Sequence, residues 1–422
     1  MAPFARADEP RPAGLIVTRP HEGRTADGVL GVRTDGITLA VETLELAIVG
    51  AGSAGLATAA LLRRHGLAPV VLEAGPEPGA AWRDRYDRLR LHTPRLLSGL
   101  PGRRIPRRYG RWVARDDLIE YLHDYVEAHG LEVRTNVYVR RIDPDGDGWT
   151  LHTAAGPLHA ATVIVATGYN GAPFVPDWPG LESFTGEVVH SSAYRNPAPY
   201  RGRDVLVVGA GNSGAEIAHD VADGGAASST LSVRTPPQIV RRATAGIPAQ
   251  LIGMAIKRVP PSWVDPISKA QRRVSIPDLG PQGLPRPDQG IRTSFIATGT
   301  TPILDVGIVD AVRRQRVRVV AAVESFEGSD VVLADGSRIA PDAVIAATGF
   351  RAALEPLVGH LGVLGRRGLP AKTDGEPALP GLWFIGFVPT LGGQLREGSI
   401  AAGKVAAGVA ASQRADAATP PA

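Results

Sequence analysis

Two segments of the chain repeat one pattern: an apolar strand, a glycine-rich turn, an amphipathic helix and a second apolar strand. The first segment, "LELAIVGAGSAGLATAALLRRHGLAPVVLEAG", begins at Leu44, and the second, "RDVLVVGAGNSGAEIAHDVADGGAASSTLSVRT", begins at Arg203. Each has the length and order of a βαβ unit. The copies lie about 160 positions apart, too far for a solenoid, whose repeats are roughly 20–50 residues long. The sequence therefore predicts an α/β protein with two Rossmann-like dinucleotide-binding domains.

A glycine triplet marks the turn of each unit. The triplets are Gly50, Gly52 and Gly55 in the first unit, and Gly209, Gly211 and Gly214 in the second. The first glycine of such a triplet allows the turn off the strand, the second lets a pyrophosphate approach the backbone, and the third lets the helix pack on the strand. The N-terminus of the helix then faces the phosphates. In the second loop, Asn212 and Ser213 are candidates to donate hydrogen bonds to the nucleotide.

The residue near the end of the second strand predicts which nucleotide each unit binds. Glu73 ends the first unit, where a carboxylate suits a ribose with free hydroxyls and repels a phosphorylated one. Arg234 ends the second unit, where a guanidinium can pair with a 2′-phosphate. Two nicotinamide sites would have little chemical purpose, whereas FAD and NADPH form a hydride acceptor and donor. We therefore expect FAD at the first loop and NADPH at the second, with Gly79 and Trp82 near the flavin ring.

Composition and charge narrow the class of protein further. The chain has 422 residues, enough for two or three domains, and a net charge of +4 spread along its length. With few aromatic residues, this indicates small anionic ligands and no nucleic acid. The absence of cysteine excludes disulfides, zinc–thiolate sites and a redox-active cysteine pair, and no metal site is expected.

The same sequence carries no membrane signal. No apolar run reaches the roughly 18 residues of a transmembrane helix. The first residues contain charge and proline where a signal peptide needs an apolar run. We therefore expect a cytoplasmic protein without stable membrane insertion.

The stretch between the two loops carries a further pattern. Phe184, Gly186, His190 and Tyr194 match every fixed position of the fingerprint FxGxxxHxxx(Y/F). Together with "YDRLRLHTPR", "VLVVGAGNSGAEIAHDV", "TTPILDVG" and "DAVIAATGF", this stretch resembles the class B flavin-dependent monooxygenases. Within that class the chain is similar to the flavin-containing monooxygenase family, in particular its YUCCA-type branch, which acts on indole-3-pyruvate in plants. The resemblance covers nearly all of residues 44–410.

The resemblance implies an architecture and several roles. It implies a glutathione-reductase-like arrangement, in which the FAD domain is interrupted by the NADPH domain and the fingerprint links the two. Gly168 would lie in a strand-end turn, and Gly386 in a late turn near the flavin ring. The implied domains are a flexible extension at 1–43, the FAD domain at 44–195 and 332–411, the NADPH domain at 196–331 with a substrate-side insertion at about 242–290, and a disordered tail at 412–422.

Three positions depart from the family pattern. His92, a candidate near-flavin residue, stands where many flavin-containing monooxygenases have an asparagine, so no asparagine role can be transferred. The late motif ends in Phe350 instead of tyrosine. The stretch "GTTPILD" lacks the lysine that the plant enzymes usually have, which weakens the transfer of their substrate.

The activity that the resemblance implies is NADPH-dependent oxygenation. NADPH would reduce FAD, O₂ would form a flavin C4a-hydroperoxide, and a small organic substrate would take one oxygen atom. The substrate would be a 2-oxo acid of the indole-3-pyruvate type or a compound with a nitrogen or sulfur heteroatom. Arg95, Arg241 and Arg242 are candidate anchors for an acid. Two alternatives stay open: a flavoprotein reductase with an external electron acceptor, and a non-catalytic flavin-binding sensor. The expected state is a monomer or homodimer.

Overall fold

The computed structural model describes residues 31–34, 37–40 and 42–418, and every structural statement below concerns these residues. Its strands are, in chain order, β1 (Gly31–Thr34), β2 (Ile37–Ala40), β3 (Glu42–Val49), β4 (Val70–Leu72), β5 (Glu132–Arg134), β6 (Arg141–Asp145), β7 (Gly148–Thr153), β8 (Gly156–Val165), β9 (Ala172–Pro173), β10 (Glu187–His190), β11 (Asp204–Val208), β12 (Ser228–Ser232), β13 (Ile239–Arg241), β14 (Ala243–Thr244), β15 (Ile247–Pro248), β16 (Ile303–Asp305), β17 (Arg318–Val320), β18 (Val323–Glu327), β19 (Asp330–Leu333), β20 (Arg338–Ile339), β21 (Ala343–Ala346), β22 (Phe350–Arg351) and β23 (Leu382–Phe384).

Helices connect these strands. They are α1 (Ser53–Arg64), α2 (Ala80–Arg83), α3 (Arg115–His129), α4 (Asn212–Asp223), α5 (Ala249–Ile256), α6 (Pro261–Ser275), α7 (Ile291–Thr298), α8 (Ile308–Arg313), α9 (Glu355–Val358) and α10 (Gln394–Ala418). Short 3₁₀ helices occupy Arg95–Leu97, Arg107–Tyr109, Leu181–Ser183, Ala198–Tyr200, Gly280–Gln282, Gly359–Leu361 and Arg366–Gly368.

The first domain is built on one sheet of seven strands. Its order is β5-β4-β3-β8-β7-β6, with β23 pairing β8 as well. Strands β3, β4, β5, β8 and β23 run parallel, whereas β6, β7 and β8 form an antiparallel meander. In β3, Leu46 and Ile48 pack against α1, α3 and α10, and Ala47 and Val49 pack in the cluster on the opposite face. Because successive side chains of a strand point to opposite faces, this run of apolar residues is buried on both sides.

The second domain is built on a smaller parallel sheet. Its order is β10-β21-β11-β12-β17. In β11, Val205 and Val207 face the cluster that contains α4 and α8, while Leu206 and Val208 face Trp178. In the chain, this sheet lies between β8 and β23 of the first domain. In each βαβ unit the two strands run parallel, so their carboxyl ends lie at the same edge of the sheet. The α/β class predicted from the sequence is confirmed.

The second domain is larger in the structure than the range predicted for it from the sequence. Strands β10 and β21 lie outside the predicted range 196–331, yet both belong to the second sheet, where β21 pairs β10 on one side and β11 on the other. The second domain therefore extends in both directions beyond that range. A short apolar strand such as Ala343–Ala346 is buried in whichever sheet it joins, so its sequence pattern cannot decide between the two sheets.

Both chain ends also differ from expectation. Part of the predicted extension at 1–43 forms a hairpin, in which Gly31 pairs with Ala40, and the first strand of the sheet begins at Glu42. Residues 1–30 lie outside the described residues. The predicted disordered tail at 412–422 is wrong as far as Ala418, because α10 continues to that residue. One side of α10 packs on α1 and Trp383, which supports the helix beyond its local propensity.

The predicted insertion at about 242–290 consists of a two-stranded ribbon and two helices. The ribbon is β14–β15, and the helices are α5 and α6. Helix α6 is strongly amphipathic and begins with proline in its first turn. These elements lie beside the second domain, because β13 at the start of the insertion pairs with β16.

The packing of β3 makes a stability prediction. Leu46 is 0% exposed, whereas Leu96 is 76% exposed. We expect Leu46→Ala to lower the free energy of unfolding by about 2–5 kcal/mol, because it leaves a cavity beside α1. Leu96→Ala makes the same chemical change on the surface and should stay within about 0.5 kcal/mol of the parent. Urea unfolding followed by tryptophan fluorescence measures both, and equal losses would contradict the burial described here.

Candidate functional site

The first glycine loop is shaped by two close contacts. Gly50 has a φ of +111°, and a Cβ on it would lie 2.8 Å from the carbonyl oxygen of Ala166. A Cβ on Gly55 would lie 2.0 Å from the carbonyl oxygen of Gly50. A Cβ on Gly52 would meet nothing within 4 Å, so this residue borders open space. The loop therefore packs tightly on its protein side and leaves room on its outer side for a ligand.

The second glycine loop repeats this geometry. Gly209 has a φ of +113°, and its Cβ would lie 2.5 Å from the carbonyl oxygen of Ala347. A Cβ on Gly214 would lie 1.8 Å from the carbonyl oxygen of Gly209, and one on Gly211 would again meet nothing within 4 Å. The sequence repeat is thus a repeat in three dimensions. It includes the strand-end turns that begin at Ala166 and Ala347.

The helices that follow both loops begin without a side-chain cap. Helix α1 has Gly52 as its N-cap and α4 has Gly211, and neither helix has an acidic residue in its first turn. The first N–H groups of a helix need acceptors, and the helix dipole favours an anion there. Two uncapped helix starts beside open glycines fit the phosphate groups of two dinucleotides.

The carboxylate of Glu73 is tied to the first loop. Its Oε2 atom accepts a hydrogen bond from the Ala51 N–H at 2.7 Å, and its Oε1 atom accepts one from the Gly75 N–H at 2.8 Å. Each carboxylate oxygen can accept a second hydrogen bond. Glu73 therefore holds the loop in place and still has the capacity to receive ribose hydroxyls.

The other predicted residues of the first domain have different surroundings. Gly79 has a φ of +75°, and a Cβ added to it would lie 2.7 Å from Cδ1 of Leu122 on α3. Both the backbone conformation and the packing on α3 therefore favour glycine at this position. Trp82 is partly buried and lines a cavity described below. Gly168 has a φ of +74° and borders open space. The turn after β23 lies against the start of α1: a Cβ added to Gly386 would lie 3.2 Å from the Cβ of Ala54.

In the second loop, Asn212 has a structural partner. Its Oδ1 accepts a hydrogen bond from the Leu304 N–H at 2.8 Å, and its Nδ2 donates to the Pro302 carbonyl at 3.3 Å. This side chain therefore ties the start of α4 to β16. Ser213 lies near the Tyr86 phenol.

Arg234 follows β12 and is exposed. Over the ranges that the structure describes, its guanidinium has no ion pair and no hydrogen-bond acceptor. Its charge is therefore available to an anion at this end of the second domain.

The first three fingerprint residues, Phe184, Gly186 and His190, pack within the second domain. Phe184 meets Phe326 edge-on with ring centroids 5.2 Å apart, and a Cβ on Gly186 would lie 2.6 Å from the Phe184 ring. His190 donates from Nε2 to the Gly349 carbonyl at 2.9 Å and accepts at Nδ1 from the Ser192 N–H at 3.1 Å. Burial lowers the pKa of His190, so the ring is neutral at pH 7.

The last fingerprint residue, Tyr194, anchors this stretch to α4. Its hydroxyl donates to Oδ2 of Asp220 at 2.7 Å. Arg88, from the first domain, donates to Oδ1 of the same carboxylate at 2.9 Å. Burial, followed by the Asp220 carboxylate, raises the pKa of Tyr194. Asp220 is buried and thus joins the two domains through charge-assisted hydrogen bonds.

A second buried acid lies at the same junction. Glu216, on α4, is 6% exposed and accepts a short hydrogen bond from His92 of the first domain. The Tyr86 phenol also lies against this carboxylate, and burial together with Glu216 raises the pKa of Tyr86. Sequence reasoning singled out His92 but missed Glu216. The helical spacing of Glu216 and Asp220, four residues apart, is a signal that both face the same neighbour.

Residues of both domains meet around one cavity of about 510 Å³. The first domain contributes Trp82, Leu91 and His92, and the second contributes Asn212. The remaining wall comes mostly from α5 and α6 of the insertion and from the segment that precedes α10. The volume lies in the range of small-molecule sites, and the wall is mainly apolar.

The next two observations, on metal ligands and on membrane-spanning helices, concern the described part of the chain. There, no cluster of three histidine or acidic side chains could hold a metal ion. Over the same residues, every helix is too short or too polar to cross a bilayer.

Comparisons with known proteins agree with this geometry. Residues 47–243 match the family of pyridine nucleotide-disulphide oxidoreductases. The chain is 36% identical over 309 residues to indole-3-pyruvate monooxygenase YUCCA1 of Oryza sativa subsp. japonica, covering 72% of this chain and 76% of the relative. It is 33% identical over 377 residues to indole-3-pyruvate monooxygenase YUCCA4 of the same subspecies, covering 85% and 86%.

A solved structure extends the comparison. The flavin-containing monooxygenase from Stenotrophomonas maltophilia superposes with a TM-score of 0.65 at 28% identity, covering 87% of this chain and 99% of that chain. The matches cover most of this chain and most of each relative, and they confirm the resemblance inferred from the sequence. The chain therefore belongs to the YUCCA-type flavin-dependent monooxygenases, oxidoreductases that use FAD and NADPH.

Proposed function

We propose that this enzyme converts a 2-oxo acid of the indole-3-pyruvate type into the carboxylic acid that is one carbon shorter. The observation that carries the proposal is the cavity shared by the two domains, because one mainly apolar space borders both His92 and the start of α4 at Asn212. A substrate in this space can lie beside both cofactors. The relatives named as indole-3-pyruvate monooxygenases support the substrate class.

In the proposed arrangement, the first glycine loop holds FAD and the second holds NADPH. The uncapped start of α1 and the Glu73 carboxylate would bind the pyrophosphate and a ribose of FAD. The uncapped start of α4 and the unpaired Arg234 would bind the pyrophosphate and the 2′-phosphate of NADPH. This corresponds to a FAD domain interrupted by an NADPH domain.

FAD, when bound, supplies the redox chemistry between NADPH and O₂. The balanced reaction consumes the 2-oxo acid, O₂, NADPH and one proton, and it releases the shorter acid, CO₂, NADP⁺ and water. The bond between the carboxyl and keto carbons breaks, and one oxygen atom of O₂ joins the former keto carbon. The other oxygen atom leaves as water.

The chain itself excludes water and orients the reactants. The wall of the cavity includes Leu91, Ile252 and Ile256, which keep solvent from the reacting centre. The neutral His190 ties the end of β10 to Gly349, and the buried Tyr194 ties the stretch that follows to Asp220 on α4. Glu216 holds the His92 ring at the cavity wall. A cytoplasmic location, and a monomeric or homodimeric state, stay predictions.

Isotope labelling tests the reaction. With NADPH, indole-3-pyruvate and ¹⁸O₂, we expect substrate-dependent NADPH oxidation and indole-3-acetate that contains one labelled oxygen atom. Reactions in H₂¹⁸O with unlabelled O₂ serve as the control. If only amines or thioethers gave labelled products, the enzyme would be a heteroatom oxygenase. Reduction of an external quinone without labelled product would favour a reductase, and bound FAD without NADPH oxidation would favour a sensor.

The proposed role of Arg234 makes a specific kinetic prediction. Arg234→Ala removes the guanidinium that would pair with the 2′-phosphate, and a charged hydrogen bond contributes about 1.5–3 kcal/mol. We expect the KM for NADPH to rise by about tenfold or more. The KM for NADH, which lacks that phosphate, is the internal control and should stay unchanged. A parallel loss with both nucleotides would exclude a phosphate-reading role.

Matched variants can test separately which glycine loop binds FAD and which binds NADPH. Gly55→Ala should yield protein with little bound FAD, because its Cβ would lie 2.0 Å from the Gly50 carbonyl oxygen. Gly214→Ala makes the same clash in the second domain and should retain FAD while losing reduction by NADPH. Gly403→Ala, on α10, meets nothing within 4 Å and serves as the control. Flavin absorbance and anaerobic reduction measure the two outcomes, and the opposite pattern would reverse the assignment of the loops.

A further inference from the structure

One arginine of the insertion is buried in the wall of the cavity. Arg272 lies in the last turn of α6, is 7% exposed and lines the cavity between the domains. Its neighbour Arg273 is exposed, as most arginines are. The sequence does not distinguish these two residues, because they are adjacent and chemically identical.

The hydrogen-bond partners of Arg272 are neutral. Its Nη1 donates to Oε1 of Gln238, and its Nη2 donates to the Pro287 carbonyl at 2.9 Å. Its Nε is buried and has no acceptor in the described part of the chain. Over the same residues, no carboxylate forms an ion pair with Arg272.

The surroundings of Arg272 are electrostatically unfavourable. Burial, and then the nearby cations Arg286 and Arg273, lower the pKa of Arg272. A guanidinium nevertheless keeps its charge at any physiological pH, so it cannot escape this cost by losing a proton. Buried charges in proteins are normally paired. Within the described residues Arg272 thus has no counter-charge, and an anionic ligand in the cavity would supply one.

The rest of the cavity indicates what that anion carries. Val264, one further residue of the α6 wall, is buried and apolar, and Ile252 and Ile256 on α5 line the same space. The indole ring of Trp263 lines it as well. A ligand that fits this lining has an apolar body and an anionic group.

We propose that Arg272 binds the carboxylate of the substrate and so orients its apolar body in the cavity. This inference rests on the proposed function, since it specifies how the same site selects 2-oxo acids over neutral compounds. Three other arginines are candidate anchors from the sequence. Arg95 donates to the Gly110 and Ile105 carbonyls, and Arg242 stacks on the Trp112 ring. Arg241 also lines the cavity, but its Nε donates to the Ser275 carbonyl, whereas the Nε of Arg272 has no acceptor in the described part of the chain. A phosphate of the nicotinamide nucleotide is the other source of an anion, and the test separates the two.

Calorimetric binding to the FAD- and NADP⁺-loaded enzyme provides the test. The probes are indole-3-acetate, which is anionic, and its methyl ester, which is neutral and nearly the same shape. We expect Arg272→Met to weaken binding of the acid by about tenfold or more and to leave binding of the ester unchanged. Arg273→Met removes the same charge one position away and should bind both probes like the parent. Arg272→Lys should retain part of the acid affinity.

The outcomes distinguish the inference from its alternatives. Equal weakening of acid and ester would mean that Arg272 is structural, and unchanged acid binding in R272M would overturn the proposal. Weaker binding of NADPH but not of NADH in R272M would assign the residue to the nucleotide. Flavin content and the melting temperature verify folding, and R272K replaces R272M should R272M lose FAD. If acid binding depends on Arg272 but no 2-oxo acid is oxygenated, the anchor stands and the proposed reaction fails.

Discussion

The contact between the first and third glycines of each loop underlies the rest of this structure. In both domains the helix approaches the strand so closely that a Cβ on the third glycine would lie 2.0 Å or less from the carbonyl oxygen of the first. Only glycine permits this close approach. The approach in turn places the start of the helix at the carboxyl edge of the sheet. An uncapped helix start, with no acid in its first turn, follows at that edge in each domain. The same short-range contact thus places an uncapped helix start at the edge of each sheet.

Buried acids on one helix determine how these two edges meet. Glu216 and Asp220 lie on α4 of the second domain, and each receives a partner from the first domain, His92 and Arg88 respectively. A buried carboxylate without its donor is costly, so these pairs favour one arrangement of the domains. The cavity lies where this arrangement brings the first sheet, the second loop and the insertion together. Its position is consequently a product of the domain junction and of neither domain alone.

The proposed reaction assigns roles to two arginines, of which Arg272 lines the cavity and Arg234 follows β12 in the second domain. Arg234 and Arg272 have no carboxylate partner in the described chain, whereas Arg88 and Arg115 are paired with aspartates. In the proposal these two arginines serve two anionic ligands, Arg234 the phosphorylated nucleotide and Arg272 the acid. The wall of the cavity around Arg272 is mainly apolar, and an apolar surrounding strengthens electrostatic interactions. Selectivity for acids would then arise from one buried guanidinium rather than from an acid–base group.

The sequence by itself determined the α/β class, the two glycine loops and the βαβ units, because these depend on contacts between residues fewer than about thirty positions apart. Only the tertiary structure decided that β10 and β21 complete the second sheet, that Glu216 pairs with His92, and that Arg272 is buried while Arg273 is exposed. These features depend on which distant elements pack together, and the local pattern of a short strand or of two adjacent arginines is the same in either outcome.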